Sequence, residues 1–190
     1  MSEQASTKQR LLASAVELMA THGSIESVSL RAVAGAAGVS PTAVYRHFAD
    51  RDALIRESLE WAWLQFDKAL REASAGIEDP HERLHRQGNA YVEVALASTG
   101  VYTVLFEHRN AGSMTRTDVG YRVFNDMVDL VGDVLGANGD QRPQLGVATH
   151  LFTSIHGIAH LRSVLPTFPW PPLDQQLDEL LLQLRLVPPA

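Results

Sequence analysis

The sequence contains no cysteine. Disulfide staples, a thiolate nucleophile and cysteine-ligated zinc or iron–sulfur centres are therefore excluded. Long apolar runs are also missing. The longest uncharged stretch, Pro143 to Leu161, approaches the length of a bilayer span, yet it holds three histidines, two threonines, a serine and a glutamine. That composition fits a buried helix of a water-soluble protein. Near the start, the apolar residues from Leu11 to Val16 meet Glu17 too soon for the core of a secretory signal. A soluble, cytoplasmic protein without membrane association is expected. Catalytic signatures are equally scarce. No Ser-His-Asp order, paired-carboxylate motif, phosphate-binding glycine loop or dinucleotide fingerprint occurs, so neither an enzyme nor a bound cofactor is expected.

What is present suits a globular chain. The 190 residues are 45% hydrophobic with a formal charge of −6, too apolar and too weakly charged for disorder. The acidic total at first argues against a polyanionic partner. Residues 1–56, however, hold six cations against five anions, while residues 57–190 hold ten against seventeen. Exposed charges more than about 8 Å apart are screened at physiological salt, so a polyanion meets a local face and not the total. Only the N-terminal quarter can offer such a face.

Helical spacing predominates. Apolar residues at 11, 12, 15, 16, 18 and 19 form one stripe over residues 7–22, and Gly23 ends it. Ser29 is placed to cap a short helix over 30–37, and Ser40 followed by Pro41 opens another through Phe48. Asp50 caps a long helix from 51 to about 75. Asp79-Pro80-His81-Glu82 combines an N-cap, a proline and the glutamate of a capping box, opening a helix to about Ser98. Further helices are expected over 100–107, 117–135 and 143–164, with a polar loop at 108–116. Four prolines between 166 and 172 form a stiff connector to a last helix. Leu173, Leu177, Leu180, Leu181 and Leu184 line one edge of it. Tyr91–Leu96 and Val101–Phe106 are rich in β-formers, which leaves their helical reading ambiguous.

The informative stretch runs from Ser29 to Leu54. Two short helices meet through Gly38-Val39-Ser40, and the small residues Ala34, Gly35, Ala36 and Ala37 permit close packing. This is a helix-turn-helix, whose second helix enters the major groove while the first crosses the phosphate backbone. Val44 and Phe48, four apart, face the core. Thr42 and Arg46, also four apart, share another face with Pro41 and Tyr45 beside them. Arginine can pair bidentately with a guanine edge, and a threonine methyl or proline ring can touch a thymine methyl. Ser40 stands at a helix N-terminus, where free N–H groups favour phosphate. Tyr45, His47 and Arg51 suit phosphate contacts that position without reading sequence.

The run Tyr45-Arg46-His47-Phe48-x-x-Arg51-x-x-Leu54, with the preceding helix and helix-turn-helix, resembles TetR-family transcriptional regulators over roughly residues 7–56. In that family the basic residue after the recognition helix is usually lysine; Arg51 holds the place here. The resemblance implies that Arg31, Thr42, Tyr45, Arg46, His47 and Arg51 lie at a double-stranded DNA interface. Further on, Phe152-Thr153-Ser154-Ile155-His156-Gly157 resembles a subgroup motif, aromatic-x-x-x-His-Gly, whose aromatic is more often tryptophan. Thr99-Gly100-Val101-Tyr102 falls where many relatives place a proline before the aromatic. The resemblance implies an all-α fold: a three-helix DNA-binding module over 1–50, then a helical effector-binding and dimerisation domain over 51–190. It also implies a homodimer paired through the last two helices, most often a repressor.

The effector is unidentified. An apolar cavity is expected among the aromatic inner faces, with Trp63, Phe66, Tyr91, Tyr102, Phe106, Phe124, Met127, Phe152 and His156 as candidate lining. The competing readings belong to other classes. His150, His156 and His160 could form a metal-dependent catalytic site, but His150 lies about 240° from His156 around a helix of 3.6 residues per turn. No carboxylate in that helix completes a ligand set, and no metal is expected. The other alternative is a ligand-binding protein with an inactive DNA head. Binding whose affinity falls steeply as salt rises would exclude it.

Overall fold

The computed structural model describes residues 3–107, 119–136 and 141–187; among these, helices form the only regular structure. In chain order they are α1 (Glu3–His22), a single 3-10 turn (Ile25–Ser27), α2 (Leu30–Ala36), α3 (Pro41–Tyr45), α4 (Arg51–Ala73), α5 (Pro80–Ala97), α6 (Thr99–Glu107), α7 (Val119–Leu135), α8 (Gln141–Val164) and α9 (Leu173–Gln183). The two segments rich in β-formers are therefore helical. α5 and α6 are separated by a break at Ser98, with the Tyr102 N–H donating to the Ser98 carbonyl at 2.9 Å. The loop expected at 108–116, and the two residues expected to open α7, lie outside the described residues.

Capping side chains explain where several helices begin. Each satisfies a backbone N–H that the first turn leaves without a helical partner. Ser29 Oγ accepts from Ala32 N at 3.1 Å, Ser40 Oγ from Ala43 N at 3.3 Å, and Asp50 Oδ1 from Ala53 N at 2.7 Å. Asp79 Oδ2 accepts from Glu82 N at 3.3 Å. Helix α3 is shorter than the sequence pattern suggests. It ends at Tyr45, although His47 N and Phe48 N still bond to the Val44 carbonyl and carry one further helical turn to Phe48.

The chain packs as two units. The first comprises the described residues to Gln65 together with 98–107; the second comprises Phe66–Ala97 and the described residues from Val119 onward. The packing boundary therefore falls inside α4, fifteen residues beyond the functional division expected at 50/51. Leu54, Ile55 and Ala62 of α4 explain the difference, because they belong to the core of the first unit. That core also takes Leu11, Ala15 and Met19 from α1, Val33 from α2, Val44 from α3 and Val104 from α6. Within it α1 packs closely on α6: a Cβ added at Gly100 would lie 2.3 Å from the Ala20 carbonyl oxygen.

In the second unit α5 packs on α7, α8 and α9, and α7 on α8. Leu84 and Val92 of α5, Val131 of α7, and Leu151 and Ile155 of α8 are buried. The leucine edge of α9 turns inward, with Leu173, Leu180 and Leu184 half-buried. Leu177 and Leu181 are buried, and Leu177 lies beside Gly88 of α5, whereas Leu182 is 62% exposed. On α8, Leu145, Thr149, His150, Thr153, His160, Leu161 and Val164 are exposed.

Candidate nucleic-acid interface

Three short elements build the candidate interface. Helix α2 ends in a tight turn at Gly38, whose φ of +66° lies in the left-handed region that glycine enters without steric cost. Val39 N then donates to the Ala34 carbonyl at 3.0 Å, folding the chain back toward α3. Pro41 occupies the first turn of α3, where its missing N–H costs nothing. Inward-facing Val44 (0% exposed) and Phe48 (1%) seat this helix on the core. Lys8 Nζ lies 5.7 Å over the Phe48 ring and 2.7 Å from Glu57 Oε2, closing the edge of that seat. Lys8 is absent from the expected site because its partners lie far away in sequence.

With that seating, Ser40, Pro41, Thr42, Tyr45 and Arg46 are exposed, and His47 is half-buried. Tyr45 is 61% exposed. Arg31 is exposed on α2. Neither Arg31 nor Arg46 has an acidic partner among the described residues. Such a surface offers cations, a phenol and a small apolar rim together, the group types that meet phosphates and base edges.

Arg51 is placed differently. Its Nε donates to the Val28 carbonyl and its Nη2 to the Ile25 carbonyl, each at 2.6 Å. Nη1 lies 3.9 Å from Asp52 Oδ1. Two of its nitrogens therefore hold backbone within the unit.

The aromatic residues proposed from the sequence as cavity lining divide between the units. In the first, the Trp63 and Phe106 rings meet edge-on at 5.0 Å, and Tyr102 and Phe106 lie 4.7 Å apart. In the second, Phe66 meets Tyr91 at 5.1 Å, Phe124 meets Phe152 at 5.6 Å, and Phe152 lies 5.8 Å from His156. The Tyr91 hydroxyl lies 3.2 Å from His156 Nδ1, a polar pair within an aromatic cluster. Met127 is half-buried on α7. The histidines of α8 are not gathered: His150 and His160 are exposed, and His156 turns to Tyr91. Among the described residues no three His, Cys, Asp or Glu side chains are grouped to hold a metal ion. Nor is any described helix long and apolar enough to cross a membrane.

Comparison with known proteins agrees with this architecture. Residues 11–57 match the bacterial regulatory proteins of the tetR family. Residues 84–184 match the tetracyclin repressor-like C-terminal domain. The chain belongs to the TetR family, whose members are transcription regulators and not enzymes. An uncharacterized HTH-type transcriptional regulator of Haemophilus influenzae is 27% identical over 129 residues, covering 68% of this chain; the chain spans 63% of that relative's length. A structure of a protein with unknown function from Rhodococcus sp. RHA1 superimposes with a TM-score of 0.76 at 25% identity, covering 94% of this chain and 93% of that one. A TetR family transcription regulator from Marinobacter aquaeolei VT8 does so with a TM-score of 0.72 at 19% identity, covering 93% and 94%.

Proposed function

We propose that this chain is a ligand-responsive, DNA-binding transcriptional regulator of the cytoplasm. In this reading it acts as a homodimeric repressor that leaves a near-palindromic operator when a small apolar effector binds. The observation that carries the reading is the outward strip Thr42, Tyr45 and Arg46 on a helix seated by buried Val44 and Phe48. Arg46 reads a base edge, Thr42 and Pro41 touch thymine methyls, and Ser40, Tyr45, His47 and Arg31 hold phosphates. One such helix reads only a few base pairs. Two, related by a two-fold axis, read half-sites about 34–36 Å apart.

The pairing face is supported by the exposed apolar residues of the last two helices, Leu145, Leu161 and Val164 on α8 and Leu182 on α9. The effector is assigned to the second-unit cluster of Phe66, Tyr91, Phe124, Met127, Phe152 and His156, where the Tyr91–His156 pair offers one polar anchor among apolar rings. The aromatic-x-x-x-His-Gly subgroup belongs to this proposal, with Phe152 and His156 as its carriers. Helix α4 is the physical link. Its Leu54, Ile55 and Ala62 are core residues of the first unit, and its Phe66 and Leu70 are buried farther along. Shifting occupancy of the operator-competent state from 99:1 to 1:99 requires about 5.5 kcal/mol of differential effector affinity.

The test is duplex selection from a random pool, followed by binding of the Arg46→Ala, Tyr45→Phe double variant. Specific affinity is expected to fall at least tenfold while the protein stays folded and dimeric. Unchanged binding would reject the assignment of α3 as the reading helix.

A further inference from the structure

We propose that Arg51 is a positioning residue that brackets the base of the helix-turn-helix, and is not a phosphate ligand. Val28 is the residue immediately before Ser29, the N-cap of α2, and Arg51 is the first residue of α4. Everything between them, residues 29–50, is the helix-turn-helix and the turn that follows it. Nε and Nη2 of one guanidinium reach the Val28 and Ile25 carbonyls, both at 2.6 Å, across sequence separations of 23 and 26. The two strands of chain that enter and leave the DNA-reading excursion are thus tied by one planar, charged fork.

Chemistry explains why arginine serves here. Two carbonyls on successive turns of backbone need donors in a fixed plane, and a guanidinium presents its N–H groups in that fork. A lysine ammonium is a compact point charge that suits a phosphate but holds two such carbonyls poorly. Ile25 is also the carbonyl that closes the 3-10 turn through Val28 N at 3.1 Å, so the bracket grips a point already fixed. From inside, Val33, Val44 and Phe48 hold the excursion by packing. From outside, Arg51 holds its ends, at a side chain 39% exposed. Loosening the ends alters the tilt of α3 while leaving the charges of the interface in place. Specific recognition is then lost more than general attraction to DNA.

This inference rests on α3 being the reading helix. Its test uses the full-length wild type, Arg51→Lys and Arg51→Met, a duplex enriched by the wild type from a random pool, and a scrambled duplex of equal length. Both variants are expected to lose tenfold or more in affinity for the enriched duplex, and to stay within twofold on the scrambled one. The slope of log affinity against log salt is expected to match the wild type. Equal losses on both duplexes by variants that remain folded would overturn the proposal. So would an Arg51→Lys variant within threefold of wild type on the enriched duplex, alongside an Arg51→Met slope shallower by about 0.9 per protomer, the signature of one lost phosphate contact. Should the variants not fold, the wild type suffices: its assigned Arg51 Nε–H resonance is expected to exchange slowly in the free protein and to stay in place when duplex is added. Fast exchange, or a shift on adding duplex, would overturn the bracket. A wild type that enriches no duplex removes the interface reading and this role with it, whereas enrichment with a fully competent Arg51→Lys removes the bracket alone.

Discussion

Gly100→Ala adds a single methyl group where α6 crosses α1. The new Cβ would lie 2.3 Å from the Ala20 oxygen, 2.8 Å from its carbonyl carbon and 2.9 Å from its Cα. Real Cβ atoms essentially never come closer than 3.0 Å to a neighbour, so the two helices must separate by about 0.7 Å or more, because backbone cannot swing aside as a flexible side chain does. Overpacking of this kind costs about 1–3 kcal/mol, and a backbone clash belongs at the upper end. Against it stands a gain of about 1 kcal/mol from replacing glycine by alanine in a helix. The expected net is a loss of about 2 kcal/mol, read as a lower urea midpoint at one fixed protein concentration with the slope unchanged. Gly88→Ala is the matched control. The nearest atoms to its Cβ would be Ile155 and Leu177 side-chain carbons at 3.6 to 3.8 Å, ordinary contact distances, so the helix-propensity gain stands and the midpoint rises. If Gly100→Ala were as stable as wild type, the close α1–α6 approach would be refuted.

Two further expectations concern helix starts. Ser29→Ala removes the acceptor for Ala32 N and should cost about 1 kcal/mol, whereas Ser29→Gly should cost only a few tenths; equal losses in denaturant titration would contradict the cap. Asp79 responds to pH. Desolvation is the largest single influence on it and raises its pKa, but hydrogen bonds from the His81 side chain and from the His81 and Glu82 N–H groups, with the charge of His81, together hold it below the ordinary 3.8. A carboxyl lowered on folding contributes stability that is present above its unfolded value and is lost as pH falls through its folded value. Amide protection at the start of α5, taken relative to the intrinsic exchange rate at each pH, should therefore fall on acidification in the wild type and lose that dependence in Asp79→Asn; identical protection profiles would refute it.

Local chemistry was readable from the chain, and long-range partnership was not. Ser29, Ser40, Asp50 and Asp79 announce helix starts because a cap acts on N–H groups two or three residues away. Val44 and Phe48 announce the inner face of the helix-turn-helix because four residues span about one helical turn. Trp63 and Phe66 mark where such reasoning ends. They stand three apart on one helix and so share a face by spacing, yet Trp63 meets Phe106 in the first unit while Phe66 meets Tyr91 in the second. Periodicity gives a face, not what covers it. The leucines of α9 repeat the lesson, since those at 177 and 181 turn inward to the chain's own core. For Arg51 the motif identifies a cation, but its partners are carbonyls 23 and 26 residues away.

The charge inventory of the head bears on how regulation works. Of the six cations before residue 57, Lys8 is paired with Glu57 and Arg51 is engaged with two backbone carbonyls. The other four, Arg10, Arg31, Arg46 and Arg56, have no ion pair among the described residues, and the same stretch of sequence carries exposed Glu17, Glu26, Asp50 and Asp52. In the proposed function, a head so sparsely charged releases few counterions and binds a duplex weakly by itself. In the proposed dimer the second head engages at the high effective concentration set by the first, raising affinity by about 10²–10⁴ when both half-sites are reached together. The same arithmetic makes release economical. In the proposed mechanism an effector need not weaken any proposed contact of Thr42, Tyr45 or Arg46; changing the spacing of the heads would remove simultaneous engagement, and each head alone would then bind too weakly to hold the operator. A differential effector affinity of about 5.5 kcal/mol would be enough to drive that change, so in the proposed mechanism a weak head is a condition for the switch.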